Sequence, residues 1–214
     1  MNTTRFCLVR HGETDWNVAR RLQGHTDIAL NGRGRIQAMQ LAQALKKSNL
    51  QFDVLYTSDL QRAADTANAI VERFNVPAIT NSQLRERHLG ALQGLTIDEA
   101  PRAEPKLWQA HIARELDHDM SGGESIRLFS ERIRNALEVL RQLHLGKTIL
   151  LVSHGGALDM MYRITTHQAL DAERIAVVPN ASLNWISHDG QSWKLDHWGD
   201  TSHLADLALD NLDL

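Results

Sequence analysis

Two histidines of this chain each follow an apolar run and precede a glycine. Arg10 and His11 come directly after residues 5–9, and His154 comes directly after residues 147–153. Such a run is typical of a buried parallel strand, and ligands bind beyond the carboxyl ends of these strands in open α/β sheets. An imidazole can act as a nucleophile or base near neutral pH, and arginine offers a fork of donors that fits phosphate oxygens. Neighbouring strands would therefore bring His11 and His154 together at a candidate phosphate site.

Two further charged residues could act at the same edge of a sheet. Arg62 lies in the first turn of a predicted helix, directly beyond the predicted strand 53–57. An arginine is unfavourable at the positive end of a helix unless an anion binds there and interacts with both. A solvated arginine is an equally simple interpretation. Glu86 lies within the charged run 85–88. A solvated charge cluster is the usual explanation for such a run.

Other chemistries lack their sequence patterns. The phosphate-binding pattern G-x-x-x-x-G-K-[ST] occurs nowhere in the chain, so side chains must hold any phosphate. The residues His111, Asp117, His118 and Asp119 are metal-ligand types without H-E-x-x-H spacing, and no metal site is predicted. Ser153 lacks the first glycine of G-x-S-x-G, which disfavours a serine hydrolase.

The composition is that of an ordinary globular domain. The chain has 214 residues, of which 43% are hydrophobic and 23% charged, and we expect one domain over residues 1–214. The formal net charge of -3 provides no basic field for a nucleic-acid partner. No run is long enough for a membrane span, and no secretory signal is recognisable, so a cytoplasmic location is expected. The single cysteine, Cys7, cannot form an internal disulfide and is interpreted as a small buried residue.

The elements that must position these residues alternate along the chain. Asn31 is a predicted helix N-cap, and an apolar face follows it at Ile36, Met39, Ala42 and Leu45. Ser58 is a predicted cap of a second helix, which leads to a short strand at 78–80. A βαβ arrangement is therefore expected at the start of the chain.

The second half adds a long helix, a strand and a hairpin. Residues 95–123 are irregular and are interpreted as an excursion that covers the site, in which Trp108 is expected to pack in a small core. One long helix is predicted from its apolar positions at steps of three and four: Ile126, Phe129, Ile133, Leu137, Leu140 and Leu143. Asp189-Gly190 lies between alternating runs and predicts a C-terminal hairpin at the sheet edge. The predicted fold is an α/β three-layer sandwich with a mostly parallel central sheet flanked by helices and an antiparallel edge.

Several motifs, taken in order along nearly the whole chain, resemble the histidine phosphatase superfamily, also called the phosphoglycerate mutase-like family. The motifs are Leu8-Val9-Arg10-His11-Gly12-Glu13-Thr14 with Trp16-Asn17, Gln23-Gly24, Thr57-Ser58-Asp59-Leu60-x-Arg62-Ala63-x-x-Thr66-Ala67, Leu84-Arg85-Glu86, Gly122-Gly123-Glu124-Ser125 and Val152-Ser153-His154-Gly155-Gly156.

The resemblance implies a role for each candidate residue. It implies that His11 is a nucleophile that becomes phosphorylated and that Glu86 is the proton donor. It implies that a clamp around the phosphoryl group is formed by Arg10, Arg62 and His154. It also implies that the pocket is lined by Asn17, Gln23, Gly24 and Gly155. Two guanidinium forks and a histidine donor would stabilise the negative charge of a phosphoryl transition state. No cofactor is implied, and the expected partner is a small phosphorylated metabolite.

The resemblance leaves more than one activity open. Residues 84–94 are close to the pattern of cofactor-dependent mutases in this family. Against a mutase, the chain has Leu89 where mutases carry a tyrosine, and Gly155-Gly156 where they usually have Gly-Asn. It also lacks their adjacent arginine pair in the excursion, and hydrolysis of a phosphate monoester is therefore favoured. A non-catalytic sensor of phosphorylated ligands is a third interpretation, and a homodimer through an edge strand is possible.

Overall fold

The computed structural model describes residues 3–204 and consists of a sheet with helices on both faces. The strands are β1 (Thr4–Arg10), β2 (Val54–Thr57), β3 (Ala78–Thr80), β4 (Thr148–Ser153), β5 (Leu183–His188) and β6 (Trp193–Asp200). The helices are α1 (Asp15–Val18), α2 (Gly32–Lys47), α3 (Gln61–Phe74), α4 (Ala100–Ala103), α5 (Pro105–Ile112), α6 (Ile126–Leu143) and α7 (Gly155–Thr166). Short 3₁₀ turns follow β3, precede α4 and follow β6.

The strands of residues 3–204 form one six-stranded sheet in the order β3-β2-β4-β1-β5-β6. The strands β1, β2, β3 and β4 are parallel, whereas β5 and β6 run antiparallel at one edge. Arg10 at the end of β1 lies opposite Ser153 at the end of β4. The carboxyl ends of the two strands that precede the candidate histidines therefore meet at one point of the sheet edge.

Alternate residues of β1 enter two different cores. Phe6 and Leu8 pack with α6 and α7 on one face of the sheet. Cys7 and Val9 pack with α2 and α3 on the other face, where burial raises the pKa of the Cys7 thiol well above its usual range. Each fully buried leucine or phenylalanine contributes about 1.5–3 kcal/mol relative to an exposed one. The predicted three-layer α/β sandwich with an antiparallel edge is confirmed.

The excursion at 95–123 contains α4 and α5, and it shares a small apolar cluster with residues that precede it. Leu92, Leu107 and Met120 are buried in this cluster, and Trp108 packs against it while partly buried. Thr96 and Glu99 lie directly before α4, and each accepts a hydrogen bond from the other's backbone N–H. No helix within residues 3–204 is long and apolar enough to cross a membrane.

The buried face of α2 differs from the predicted one. Asn31 caps this helix as expected, but Ile36 and Met39 are 43% and 59% exposed. Ala42 and Leu45 are buried as predicted, and the rest of the buried face is formed by Gln37, Ala38 and Leu41. Gln37 accepts a hydrogen bond from the Glu13 N–H at 2.8 Å. Gly34 lies on the same face, where its missing side chain lets the loop that contains Glu13 approach closely.

Two other details of the predicted helices are wrong. Ser58 does not cap α3, which begins at Gln61 with Leu60 as its N-cap. The Ser58 hydroxyl instead contacts His154. Leu143 is 66% exposed, because it is the last residue of α6 and the core against the sheet ends one turn earlier, at Leu140.

Candidate active site

His11 lies one residue beyond β1 and is held as a neutral imidazole. Its backbone N–H donates to the Ser153 carbonyl at 3.0 Å, which continues the pairing of β1 with β4. Nδ1 lies 2.7 Å from the Gly12 carbonyl oxygen, which can only accept, so Nδ1 carries the ring proton and Nε2 keeps its lone pair. Burial, together with the guanidinium groups of Arg62 and Arg10, holds the pKa of His11 well below its usual range. This is the protonation state that a nucleophile needs.

The two arginines are buried beside His11 and also organise its surroundings. Arg62, in the first turn of α3, donates to the carbonyls of Gly24 at 2.7 Å and Thr26 at 2.9 Å. Arg10 donates to the Val178 carbonyl at 2.6 Å. Both guanidinium groups are nearly inaccessible to solvent, which strengthens their interaction with any anion that enters.

His154 lies directly before α7, with its ring centroid 5.3 Å from that of His11. Its Nε2 lies 2.8 Å from the Ser58 hydroxyl, which also accepts from the Leu60 N–H. Its Nδ1 is buried and has no hydrogen-bond partner among residues 3–204. Burial and the nearby Arg62 and His11 hold the pKa of His154 well below its usual range. A neutral ring whose Nε2 accepts from Ser58 would present an Nδ1 proton to a bound group.

Two backbone N–H groups hold the carboxylate of Glu86. One oxygen accepts from the N–H of Arg87 and the other from the N–H of Gly156, both at 2.8 Å. A β-carbon at position 156 would overlap a carboxylate oxygen of Glu86. Glycine at this position therefore lets the carboxylate lie against the first turn of α7, close to the two histidine-bearing strand ends.

A salt bridge from α6 fixes the loop that contains Glu86. Arg132 contacts both carboxylate oxygens of Glu124 at 2.7 Å and donates to the Glu86 carbonyl at 3.0 Å. Glu124 also accepts from the His88 N–H at 2.9 Å. Burial alone would raise the pKa of Glu124, but these hydrogen bonds outweigh it and lower the pKa. His25 contacts the same Glu86 carbonyl at 2.7 Å.

The predicted lining residues surround a cavity of about 430 Å³. Asn17, Gln23, Gly24 and Gly155 all line it, as do His11, Glu86 and both arginines, whereas the fully buried His154 does not. The side-chain oxygen of Gln23 is buried and has no hydrogen-bond partner within the described residues. A cavity of this size suits a small metabolite. In the part of the chain that the structure describes, no three His, Cys, Asp or Glu side chains converge as metal ligands.

The sequence did not identify three residues that support His11 and His154. Asn180 donates to the His11 carbonyl at 3.0 Å, and Thr66 accepts from the Gly12 N–H at 3.0 Å. Ser58 was interpreted as a helix cap rather than as the partner of His154. Thr66 and Ser58 belong to a motif that was recognised, so their burial near the site was foreseeable, whereas Asn180 lies in a stretch without a pattern.

Several known proteins are similar to this chain over most of its length. A model of the histidine phosphatase superfamily (branch 1) matches residues 6–201. The chain is 40% identical over 208 residues to a metal-independent phosphoserine phosphatase of Arabidopsis thaliana, covering 96% of this chain and 85% of that protein. It is 39% identical over 204 residues to phosphoglycerate mutase-like protein 4 of Arabidopsis thaliana, covering 94% and 87%. A solved structure of a mycobacterial glucosyl-3-phosphoglycerate phosphatase has 32% identity and a TM-score of 0.80, covering 92% and 99%.

Proposed function

The chain belongs to the histidine phosphatase superfamily, and we propose that it hydrolyses a small phosphate monoester, without a metal ion, through a phosphohistidine on His11. The observation that carries this proposal is the neutral His11, whose Nε2 keeps its lone pair and which lies beside two buried arginines. The match to relatives named as phosphatases supports the same reaction.

In the first step, Nε2 of His11 attacks the phosphorus and the bond from phosphorus to the leaving oxygen breaks. Arg10, Arg62 and the Nδ1 proton of His154 are proposed to stabilise the negative charge on the equatorial oxygens. Glu86, held against α7, donates a proton to the leaving oxygen and becomes a carboxylate. The alcohol leaves, and the phosphoryl group stays on His11.

In the second step, water attacks the phosphorus and the phosphorus–nitrogen bond breaks. Glu86 accepts a proton from this water, so it returns to its protonated form and the cycle closes. Inorganic phosphate leaves and His11 regains its free Nε2. The proposed net reaction is one ester and one water giving one alcohol and one phosphate.

A mutase is the second candidate, because the chain is also similar to relatives named as phosphoglycerate mutase-like. A mutase returns the phosphoryl group to another oxygen of the substrate instead of to water. The smaller Leu89 and the glycine pair at 155 and 156, which differ from the mutase pattern, continue to favour hydrolysis. The single domain over residues 1–214, the cytoplasmic location and the homodimer remain predictions.

The deciding experiment measures phosphate release from a panel of phosphomonoesters with chelator present. The wild-type protein should release phosphate, whereas His11→Ala should fold and release none. Conversion of 3-phosphoglycerate to its isomer after priming with the bisphosphate, without phosphate release, would establish the mutase instead. Absence of both reactions would contradict the proposed activity.

A further inference from the structure

A second group of charged side chains lies in the same cavity, beside α7. Arg114, Arg174 and the buried Asp159 line the cavity together with Arg87 and His111. Asp159 lies four residues after Gly155, which places it about 6 Å along the helix axis from the phosphate end of the site. None of these residues has a role in the proposed transfer of the phosphoryl group.

The carboxylate of Asp159 is shared by three arginines. Arg163, on the next turn of α7, holds it at 2.9 Å and is itself fully buried. Arg114 lies 3.5 Å and Arg174 3.8 Å from the same carboxylate. Asp159 therefore remains paired with Arg163 when either of the other two arginines binds something else.

The positive charge of this group exceeds its negative charge. Arg114, Arg163 and Arg174 surround the single buried carboxylate of Asp159, whereas the Glu173 side chain is exposed. Burial and the charge of Arg114 lower the pKa of Arg87 to about 10, although the carboxylates of Glu124 and Glu86 act in the opposite direction. An anion entering this end of the cavity would relieve the repulsion between the arginines.

His111 provides an independent sign that a ligand belongs here. It lines the cavity, and its Nδ1 is buried without a hydrogen-bond partner among the described residues. Burial and the charges of Arg87 and Arg114 lower its pKa to about 4, so the ring is neutral at physiological pH. Buried polar atoms are normally paired, and a bound group would complete this one.

We infer that the substrate is a phosphate ester whose leaving group carries a carboxylate, and that Arg114 and Arg174 bind this carboxylate while His11 attacks the phosphorus. This inference rests on the proposed function. Arginine forks match carboxylate geometry, and the short distance along α7 suits a leaving group of a few carbons. Asp159 lowers the net charge of the group, which favours a carboxylate over a second, dianionic phosphate.

The test compares esters that differ only in the carboxylate. Values of kcat/KM are compared for O-phosphoserine and O-phosphoethanolamine. They are also compared for 3-phosphoglycerate and glycerol 3-phosphate, a pair in which neither ester has an ammonium group. In the wild type, the ratio within each pair should favour the carboxylate by about tenfold or more, as expected when a charged hydrogen bond is lost. The kcat/KM values of propane-1,3-diol bisphosphate and propane-1,3-diol monophosphate are compared in the same way, which measures the preference for a second phosphate. A larger preference in that pair than in the carboxylate pairs would overturn the assignment.

Substitutions then assign the preference to residues. Arg114→Gln and Arg174→Gln should each bring the ratio toward one, whereas Arg114→Lys should recover part of it because the charge remains. Arg134→Gln, at an exposed position on α6 outside the cavity, is the matched control and should keep the wild-type ratio. Equal rates within both pairs in the wild type, or an unchanged ratio in both glutamine variants, would overturn the inference.

Two controls separate this inference from the proposed function. Phosphate release from p-nitrophenyl phosphate, which has no carboxylate, tests the phosphatase alone. Turnover of that ester without any carboxylate preference would refute the carboxylate site and leave the phosphatase intact. If no ester is hydrolysed, calorimetric binding to His11→Ala decides: tighter binding of O-phosphoserine than of O-phosphoethanolamine supports the carboxylate site, and equal binding refutes it.

Discussion

A single backbone carbonyl determines which nitrogen of His11 carries the ring proton. The Gly12 oxygen accepts from Nδ1 and therefore leaves Nε2 without a proton. Burial and two arginines prevent the ring from becoming protonated, while the same arginines are positioned to bind the phosphoryl group. In the proposed reaction, one arrangement of charges would thus keep the nucleophile neutral and stabilise the negative charge of the transition state.

Glu86→Gln tests the proposed acid. The amide cannot give its proton to a leaving alkoxide, so kcat for an alkyl phosphate should fall by about a hundredfold or more. p-Nitrophenyl phosphate, whose leaving group needs no proton, should be hydrolysed at nearly the wild-type rate when phosphohistidine formation limits turnover. Steady-state rates on both esters provide the comparison, and equal losses on both would argue against this role.

Gly156→Ala tests whether the position of the Glu86 carboxylate matters. The added β-carbon overlaps that carboxylate and should displace it, so the loss should again be larger for alkyl esters than for p-nitrophenyl phosphate. Gly32→Ala is the control, because a β-carbon at this position on α2 meets no atom within 4 Å. Both variants should keep the free energy of unfolding within about 1 kcal/mol of wild type. A Gly156→Ala enzyme with an unchanged leaving-group dependence would contradict the account.

At the scale of the elements, α6 positions a loop that contributes to the site. Arg132 of α6 connects Glu124 to the carbonyls of Gln83, Arg85 and Glu86, and so fixes the segment that leads to the proposed acid. This is a positioning contact, since Arg132 does not line the cavity. Its effect should therefore appear in the chemistry that Glu86 performs.

We expect Arg132→Gln to reduce kcat for alkyl phosphates more than kcat for p-nitrophenyl phosphate. The loop loses the two charge-assisted contacts of Arg132 with Glu124 and its three contacts with backbone carbonyls, so the carboxylate of Glu86 loses its fixed position. Arg134→Gln on the same helix should change neither rate. A general loss of stability would reduce the amount of folded enzyme and lower both rates equally, so a uniform loss would refute the positioning role.

Periodicity along the chain predicted most elements but not all of their faces. The apolar runs and steps of three and four were sufficient for the strands, for α6 and for the C-terminal hairpin. The apolar spacing did not predict the whole buried face of α2. Gln37 is buried there because its side chain accepts a hydrogen bond from the Glu13 N–H, and a hydrophobic pattern cannot predict such a contact. Arg132 and Arg114 were missed for a similar reason, since a charged residue on a helix is indistinguishable in sequence from a solvated one.

At the scale of the whole molecule, the sheet order brings the site together. Residues separated by more than 140 positions, such as His11 and His154, meet because β1 and β4 are neighbours. The pairing of two strand-end histidines was enough to predict this meeting from sequence. The arginine group around Asp159 was not predictable, because it depends on how the excursion and the segment after α7 pack over the sheet.

Buried neutral histidines also predict how stability depends on pH. Burial lowers the pKa values of His11, His154 and His111, and that of His111 falls to about 4. In the unfolded chain each histidine takes up a proton near pH ~6.5, so the unfolded state binds more protons than the folded state below that pH. The free energy of unfolding is therefore at its full value above pH ~6.5 and decreases as the pH falls, by up to about 1.4 kcal/mol per pH unit for each histidine.

Denaturant unfolding at about pH 7.5 and about pH 5.5 measures this dependence on either side of the ordinary histidine pKa. The wild type should be less stable at the lower pH, and His111→Gln should lose about 1 kcal/mol less between the two values. Equal stability at both pH values would contradict the assignment of neutral buried histidines.

The central claim is that His11 carries the phosphoryl group during turnover, and direct detection of the phosphorylated enzyme tests it. Wild-type protein is mixed with a good substrate, quenched rapidly without acid, digested and mapped by mass spectrometry. We expect a phosphorylated peptide with the modification on His11, and none in the His11→Ala protein. Phosphate release by the wild type without a modified His11, or with the phosphoryl group on another residue, would contradict the account.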